Sequence, residues 1–466
     1  MHPLLPLALL LAPAPASGEV WFRIEGDNGQ LVGWQHEQRI VDADGIRQSR
    51  ETVMAYRIDG HPPTRSVVRV EQKRDAGGRL LAMRVGNGEG ARAGVREWTV
   101  EGAAVVATDG AGRELGRFAL PPGLDLRDGE ALLSLDAGDA GFADIAPGEL
   151  RPVAARLDLV PMAEGIGART AAIVYHGERM RHAWFVERDA DGAIAAAEQP
   201  LFGSRLVYRR SDRPLSDADL ARPASLPHQL RPAPYAITPG AMRGHIRYVF
   251  AAPLGVRLAL PESGEQAVRE EADGALRLDI CRGCGPGLST DPADLDRWRQ
   301  PSPWLQSDAP EIVRAAHRVA ASKASDQRRM IELAMIARRQ LATVDYEGHR
   351  SALDAWRRRA GDCTEDAVVL AALARAAGIP ARVVNGLVYS RERYHGATNA
   401  FFLHSWIVAY ADGEWRSFDM TTGGFDATHI ALSIDDGDLA SIVAANQTAA
   451  LLDWRSMAEV RPRPAP

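Results

Sequence analysis

The sequence predicts an α+β chain: an antiparallel, β-rich N-terminal domain, then a C-terminal core of helices packed on an antiparallel sheet. Three observations carry the prediction. Between Glu19 and Ser211, short runs of alternating apolar and polar residues are separated by Asp44-Gly45, Gly77-Gly78, Asp109-Gly110 and Asp191-Gly192, the rhythm of a meander. From Ser307 to Ala377 the apolar period lengthens to that of helices, each with its own start signal. Beyond Pro380, β-branched and aromatic runs return and flank a further turn, Asp412-Gly413.

Taken in order, the chain opens with an apolar run from Leu4 to Ala12 before Pro13-Ala14-Pro15-Ala16-Ser17-Gly18. That is the pattern of a signal peptide over residues 1–18, cut near Ala16 or Gly18 and too short to span a bilayer. No later stretch of 18 apolar residues occurs, so no stable membrane span is expected, and the destination is periplasmic or secreted. Strands are expected at Val20–Ile24, Leu31–Val41, Thr52–Ile58, Val67–Lys73, Leu80–Val85, Arg96–Val100, Ile173–His176 and Ala183–Arg188, as a sandwich or a curved half-barrel. Residues 120–160, with Leu132-Leu133 and the break Pro147-Gly148, have room for a short helix. His36, His176 and His182 lack a carboxylate or Cys at ligand spacing and read as ordinary strand residues. Pro214 to Pro239 reads as a linker. Ile246–Phe250, Val256–Leu260 and Ala275–Ile280 add strands that form a small β domain or extend the first.

Asp308 is expected to cap a helix with Pro310 in its first turn and Ile312, Ala315, Ala316 and Val319 on one face. Asp326 caps the next, whose stripe is Met330, Leu333, Ala334, Ala337 and Leu341. Arg328, Arg329, Arg338 and Arg339 read as its solvated face, with anion binding as the alternative. Ser351 and Asp354 resemble a capping box for a short helix ending before Gly361.

Gly361-Asp362-Cys363-Thr364-Glu365-Asp366 then runs directly into the apolar segment Ala367 to Ala377 and the stop Gly378-Ile379-Pro380. Asp362 reads as an N-cap, which puts Cys363 at a helix N-terminus, where unpaired N–H groups and the dipole favour a thiolate. A lone Cys is most often a small buried hydrophobe, so the functional reading needs partners. Phe401–Tyr410 and Glu414–Met420 supply them as two arms of a hairpin. With Asp412-Gly413 as a two-residue loop, Ala411 pairs with Glu414 and Trp406 faces Asp419. His404 is then a diagonal neighbour of Asp419, roughly 7–8 Å away at the backbone. A three-residue loop would turn Asp419 to the other face.

These blocks, with Ala377-Gly378-Ile379-Pro380-Ala381-Arg382-Val383-Val384-Asn385-Gly386, His404-Ser405-Trp406 and Ser417-Phe418-Asp419-Met420-Thr421, resemble the core of the transglutaminase-like superfamily in its bacterial branch. The resemblance covers roughly residues 300 to 435. It implies a papain-like core with a Cys-His-Asp catalytic triad carried over to Cys363, His404 and Asp419. Met420 departs from the Pro that often follows the acidic residue in that family. His429 falls where the family most often has a structural residue near a strand start. The implied activity is that of a thiol enzyme acting on peptide or protein amides, cell-wall peptides included, through a Cys363 thioester, by acyl transfer or by hydrolysis. A cysteine peptidase or amidase of cell-wall peptides is the nearest alternative, and a non-catalytic binding scaffold the competing class. The second oxyanion donor is left among Trp304, Gln306, Gln340 and Tyr346; Tyr394, His395 and Asn399 could line the cleft. The expected organisation is a signal peptide at 1–18, a β-rich domain at 19–211, a linker and small β region at 212–300, a catalytic domain at 301–450 and a tail at 451–466.

Composition narrows the alternatives. A net charge of −6 over 466 residues, both signs well mixed, lacks the basic face of a nucleic-acid binder. No H-E-x-x-H or clustered Cys/His set is present, so neither metal nor other cofactor is expected. The three cysteines are Cys281, Cys284 and Cys363. Gly285-Pro286-Gly287 breaks any helix after Cys281-Arg282-Gly283-Cys284, which argues against a redox motif and for a local disulfide.

Overall fold

The computed structural model describes residues 17–58, 63–88, 94–128, 141–145, 150–162, 171–177, 181–190, 192–226, 229–253, 256–344, 349–393 and 397–461. The expected signal segment up to Ala16 lies outside the described residues, as do Leu132-Leu133, Pro147-Gly148, Tyr346, Tyr394 and His395. The chain forms two compact units, residues 1–200 with 204–227 and residues 201–203 with 228–466.

In the first unit, the described strands hydrogen-bond into one 15-stranded sheet. Consecutive strands pair from Gly18–Glu25 out to Glu114–Ala119. A second meander runs from Phe142–Asp144 to Ser204–Ser211, and the two join where Gly18–Glu25 pairs with Ser204–Ser211. Period-2 patterning is plain in Thr64–Arg74, where Val70, Gln72 and Arg74 are buried and their neighbours Glu71 and Lys73 exposed. His36 stacks on Trp21 and His182 on Tyr175, with ring centroids 4.1 and 4.6 Å apart. His176 is a half-buried strand residue, and its Nε2 lies 2.9 Å from Asp158 Oδ2. The partner was hidden because it stands on the adjacent strand, one diagonal step away in the register.

The second unit holds a five-stranded sheet, in which Ala400–Ala411 pairs with Ala381–Ser390 on one edge and with both Leu230–Pro232 and Glu414–Phe418 on the other. Its helices are α1 (Pro239–Arg243), α2 (Pro292–Arg297), α3 (Pro310–Ala320), α4 (Asp326–Gln340), α5 (Ala352–Arg358), α6 (Cys363–Ala376) and α7 (Leu439–Leu451). Buried residues of α3, α4, α5 and α6 form one core with Val383, Ile407 and Ala409 of the sheet, and α6 is enclosed along nearly its whole length. None of the described helices is long and apolar enough to cross a membrane.

Local chemistry shifts several expected boundaries. The N-cap of α3 is Ala309, the residue after the expected Asp308, and that of α4 is Ser325, the residue before the expected Asp326. Pro310 at the first helical position sets the start of α3, and the Ser325 hydroxyl accepts from the Arg328 N–H at the start of α4. Arg329, expected on a solvated face, is bound to Asp326 (2.6 Å), Val319 O (3.1 Å) and Ala377 O. Val256–Leu260 forms no strand, although Val256 and Leu260 are buried. Asp453–Glu459, read from sequence as tail, is a strand that shares a four-stranded sheet with Ile246–Ala251, Gln266–Glu270 and Leu276–Ile280. Trp454 holds it there, with ring centroids 4.9 Å from Phe250 and 4.7 Å from Phe401. Cys281 and Cys284 are disulfide-bonded in the turn that follows Leu276–Ile280.

Candidate active site

The start of α6 is built by its own sequence. The Asp362 carboxylate accepts the Thr364 N–H at 2.7 Å, and Glu365 reaches back to accept the Asp362 N–H at 3.0 Å, a reciprocal capping box. A Cβ at Gly361 would lie 2.3 Å from the Glu365 Cβ, so the returning Glu365 side chain requires glycine there. Cys363 is thereby fixed as the first helical residue.

The hairpin follows the expected register: Ala411 pairs with Glu414, then Tyr410 with Trp415, through to Ile407 with Phe418. Asp412 and Gly413 both have positive φ, 52° and 92°, as a two-residue turn of this kind demands. The Asp412 carboxylate also accepts the Asp326 and Gln327 N–H groups at 2.8 and 3.2 Å, tying the hairpin tip to the N-terminus of α4. Just past Phe418, Asp419 Oδ2 meets His404 Nε2 at 2.8 Å, both side chains buried.

Beside this pair, the edge of the histidine strand is open among the described residues. Leu230–Pro232 covers residues 400–402 of the histidine strand and Glu414–Phe418 covers residues 407–411, leaving residues 403–406 without a strand on that side. The Ser405 N–H, next to His404, lies close enough to Cys363 to favour its thiolate form. Since His404 Nε2 is taken by Asp419, Nδ1 is the ring nitrogen left for a thiol.

Electrostatics at the site run against one sequence expectation. Burial first, then the carboxylates of Asp362, Asp419 and Asp366, push the Cys363 thiol well above its ordinary range. The Ser405 N–H pulls the other way and is outweighed. The residue keeps part of its surface open. Burial, followed by Asp362 and Asp419, also pushes the Asp366 carboxyl up to about 7. Asp419 is held below the ordinary carboxylate range: burial opposes this, and the charges and hydrogen bonds of His404 and His429 overcome it.

His429 is the residue whose part the sequence understated. Buried just before the strand Ile430–Asp435, it has Nε2 3.1 Å from Asp419 Oδ2 and Nδ1 3.1 Å from Asp426 Oδ1. Burial alone would lower its pKa; its bonds to Asp419 and Asp426 instead raise it to about 9. The Asp426-x-x-His429 spacing before a strand was the available signal. Donor atoms of His404, Asp419 and His429 lie within 4.8 Å of one another. Separations of 2.8 and 3.1 Å are those of N–H···O bonds, and we assign these groups to each other rather than to an ion. The second convergence, His245 with Cys281 and Cys284, has both sulfurs spent in the disulfide.

The remaining candidates separate clearly. Gln306 accepts from the Leu353 N–H and donates to Pro303 O, while Gln340 donates to Trp356 O. Trp304 Nε1 is buried and finds no acceptor among the described residues. Asn399, at φ 53°, accepts from the Tyr389 hydroxyl at 2.6 Å and serves the loop. Beside Asp419 opens a cleft of about 660 Å³, lined by Ile331, Met335 and Arg338 of α4, by Glu414–Phe418 and by Phe425. Ile331 and Met335 are exposed apolar side chains there.

A thiol at a helix start, an imidazole and a carboxylate on an adjoining hairpin define the constellation of papain-like thiol enzymes. The sequence model described as the transglutaminase-like superfamily matches residues 311–420, which lie within the C-terminal unit. A search of the curated proteins finds no match. Among solved structures, the chain resembles a proposed cysteine protease from Cytophaga hutchinsonii at 17% identity and TM-score 0.31, covering 48% of this chain and 89% of that one. It also resembles a β-barrel-like protein of a domain of unknown function from Brucella abortus (12%, TM-score 0.31, 43% and 98%). A proposed protease from Parabacteroides distasonis matches at 12% identity and TM-score 0.21, over 76% and 68%. Similarities of this size carry no functional argument.

Proposed function

We propose that this protein is an exported thiol enzyme that acts on peptide or protein amides through a thioester at Cys363. The observation that carries the reading is the buried His404–Asp419 pair, 2.8 Å apart, with Cys363 at the start of α6 close enough to feel the Asp419 charge and the amide of Ser405, the residue after His404. With its thiol pKa raised, Cys363 rests as the protonated thiol. His404 Nδ1 takes the thiol proton as sulfur attacks the amide carbon, so that a C–S bond forms and the carbonyl oxygen becomes an oxyanion. Asp419 orients the ring and stabilises the imidazolium. The Cys363 backbone N–H at the helix start is the donor we assign to the oxyanion. Collapse breaks the C–N bond, and His404 returns the proton to the departing amine. Water or a second amine, deprotonated by His404, then opens the thioester.

Water gives amide hydrolysis, and an amine gives acyl transfer. The open cleft beside Asp419, with its apolar Ile331 and Met335, suits an extended peptide donor, and we assign cell-wall peptides as the class to test first. The Cys281–Cys284 disulfide supports an oxidising periplasmic or extracellular setting. The test is to incubate mature protein with Gln-containing and cell-wall peptides, with and without an added amine, beside Cys363→Ala. Ammonia, cleavage or cross-linked product from the wild type alone is expected. Product formed equally by Cys363→Ala overturns the reading.

A further inference from the structure

The proposed reaction uses one histidine, yet a second shares its carboxylate. Asp419 Oδ2 accepts from His404 Nε2 at 2.8 Å, His429 Nε2 at 3.1 Å and Thr422 Oγ1 at 2.6 Å, while Oδ1 accepts the Thr421 and Thr422 N–H groups at 2.7 and 3.2 Å. His429 is fully buried, and its other nitrogen faces Asp426 Oδ1 at 3.1 Å, nearer than the Asp426 N–H at 3.3 Å. That oxygen is itself fixed by the Thr428 N–H and hydroxyl at 2.8 and 2.6 Å. Trp406 packs edge-on against the His429 ring, with centroids 5.1 Å apart. A histidine clamped at both nitrogens by carboxylates has nowhere to turn.

We propose that His429 is a positioning residue of the thiol site, a buried cation that fixes the Asp419 carboxylate and dilutes its charge toward His404. Without His429, Asp419 would face His404 with no counter-charge of its own. With His429 doubly protonated, Asp426, His429 and Asp419 together carry one negative charge in place of the two that Asp426 and Asp419 would carry beside a neutral ring. The rise of the His429 pKa to about 9 agrees with this. The charged and titratable groups facing the pair are Asp419 and Asp426 from the loop, Glu265 from the segment before Gln266–Glu270, and Cys363 with its flanking Asp362 and Asp366 from α6. Tyr248, which also feels Asp426, bonds Ala427 O.

The inference rests on the thiol–imidazole reading above, and the test separates the two. Acylation of Cys363 by p-nitrophenyl acetate, followed from about pH 4.5 to 9 by p-nitrophenol release, reports the protonation of the base and needs no natural substrate. The His404 and His429 ring centroids are 6.3 Å apart, close enough for the loss of one buried charge to move a titration by about one unit. His429→Gln should therefore shift the acid limb upward by about one pH unit, a roughly tenfold loss on its acid side. Asp426→Asn, which removes one negative charge from the group while His429 keeps its bond to Asp419, should shift it the opposite way by less and keeps the test alive if His429→Gln fails to fold. In 15N-histidine NMR of the wild type at about pH 7.5, both His429 nitrogens should be protonated. An acid limb unmoved in both variants while His404→Ala is slow, or a neutral His429 ring, overturns the positioning role alone. His404→Ala acylating as fast as wild type overturns it together with the proposed function.

Discussion

Replacing Asp366 by Asn removes an ionisable group from a place that resists its charge. Asp366 sits in the first turn of α6, half-buried, and its carboxyl is pushed up to about 7 by burial and then by Asp362 and Asp419, with Arg338 relieving part of the effect. In the unfolded chain it titrates near about 4. The folded state therefore holds the proton more tightly, and between about pH 4 and pH 7 it binds more protons than the unfolded state. Stability falls as pH rises through that window. A roughly thousandfold difference in proton affinity corresponds to about 4 kcal/mol as a ceiling, which partial exposure and relaxation reduce to on the order of 2 kcal/mol. The neutral amide carries no such penalty. The variant should match wild type near pH 4.5 and exceed it at pH 8 by about 2 kcal/mol, a gain of roughly 4–8 °C in the transition of the C-terminal unit. Urea and thermal unfolding at both pH values measure this. An advantage that is equal at both pH values, or larger at the acid one, would refute the reasoning, because a packing effect has no reason to titrate.

Other expectations follow from single contacts. Gly361→Ala, with its Cβ driven to 2.3 Å from the Glu365 Cβ, should break the capping box and lower stability by about 1–3 kcal/mol in denaturant unfolding, with loss of acylation at Cys363. Reduction of the Cys281–Cys284 disulfide frees only a four-residue loop; the chain-entropy estimate is about 2 kcal/mol, seen as a lower thermal midpoint in dithiothreitol and absent in Cys281→Ser/Cys284→Ser. Asp412→Ala should cost about 1–3 kcal/mol, through loss of its two hydrogen bonds to the start of α4 and through a side chain unsuited to the positive φ at 412, which denaturant unfolding with amide hydrogen exchange of residues 407–418 would show.

The parts of the fold legible in the sequence were those with local rules. The α6 start was readable because Gly361, Asp362 and Glu365 satisfy each other within five residues. The hairpin register was readable because Asp412-Gly413 permits one turn geometry, and that geometry fixes the face on which His404 stands. What escaped were pairings between distant segments. Nothing local announces that Asp453–Glu459 adds to Ile246–Ala251 or that Leu230–Pro232 covers the end of the histidine strand. His429 was placed near a strand start, yet its bond to Asp419 depends on how the loop 419–429 closes, which spacing alone does not determine. The same is true of Ser405: its amide stands near Cys363 on a stretch of edge that two separate strands leave uncovered.

The protonation of Cys363 shows how magnitude overrides a correct local rule. A helix N-terminus stabilises a negative charge by about 0.3–1 kcal/mol, up to about 2 in partly buried geometry, and that argument alone predicts a thiolate. Here the same turn carries Asp362 and Asp366, Asp419 stands across from it, and the sulfur is desolvated; each opposes ionisation, and together they outweigh the dipole and the Ser405 N–H. The acids that build the helix start thus keep the thiol neutral, and in the mechanism proposed above His404 is then a participant in the attack rather than a partner in a standing ion pair. Iodoacetamide should accordingly label Cys363 more slowly than a free cysteine at about pH 7, with the rate still climbing above about pH 9, and Asp366→Asn should accelerate it by removing one of the opposing charges. A fast rate that is flat from about pH 5 to 8 would mean that the imidazolium–thiolate pair exists at rest and that the carboxylates around the sulfur are screened from it.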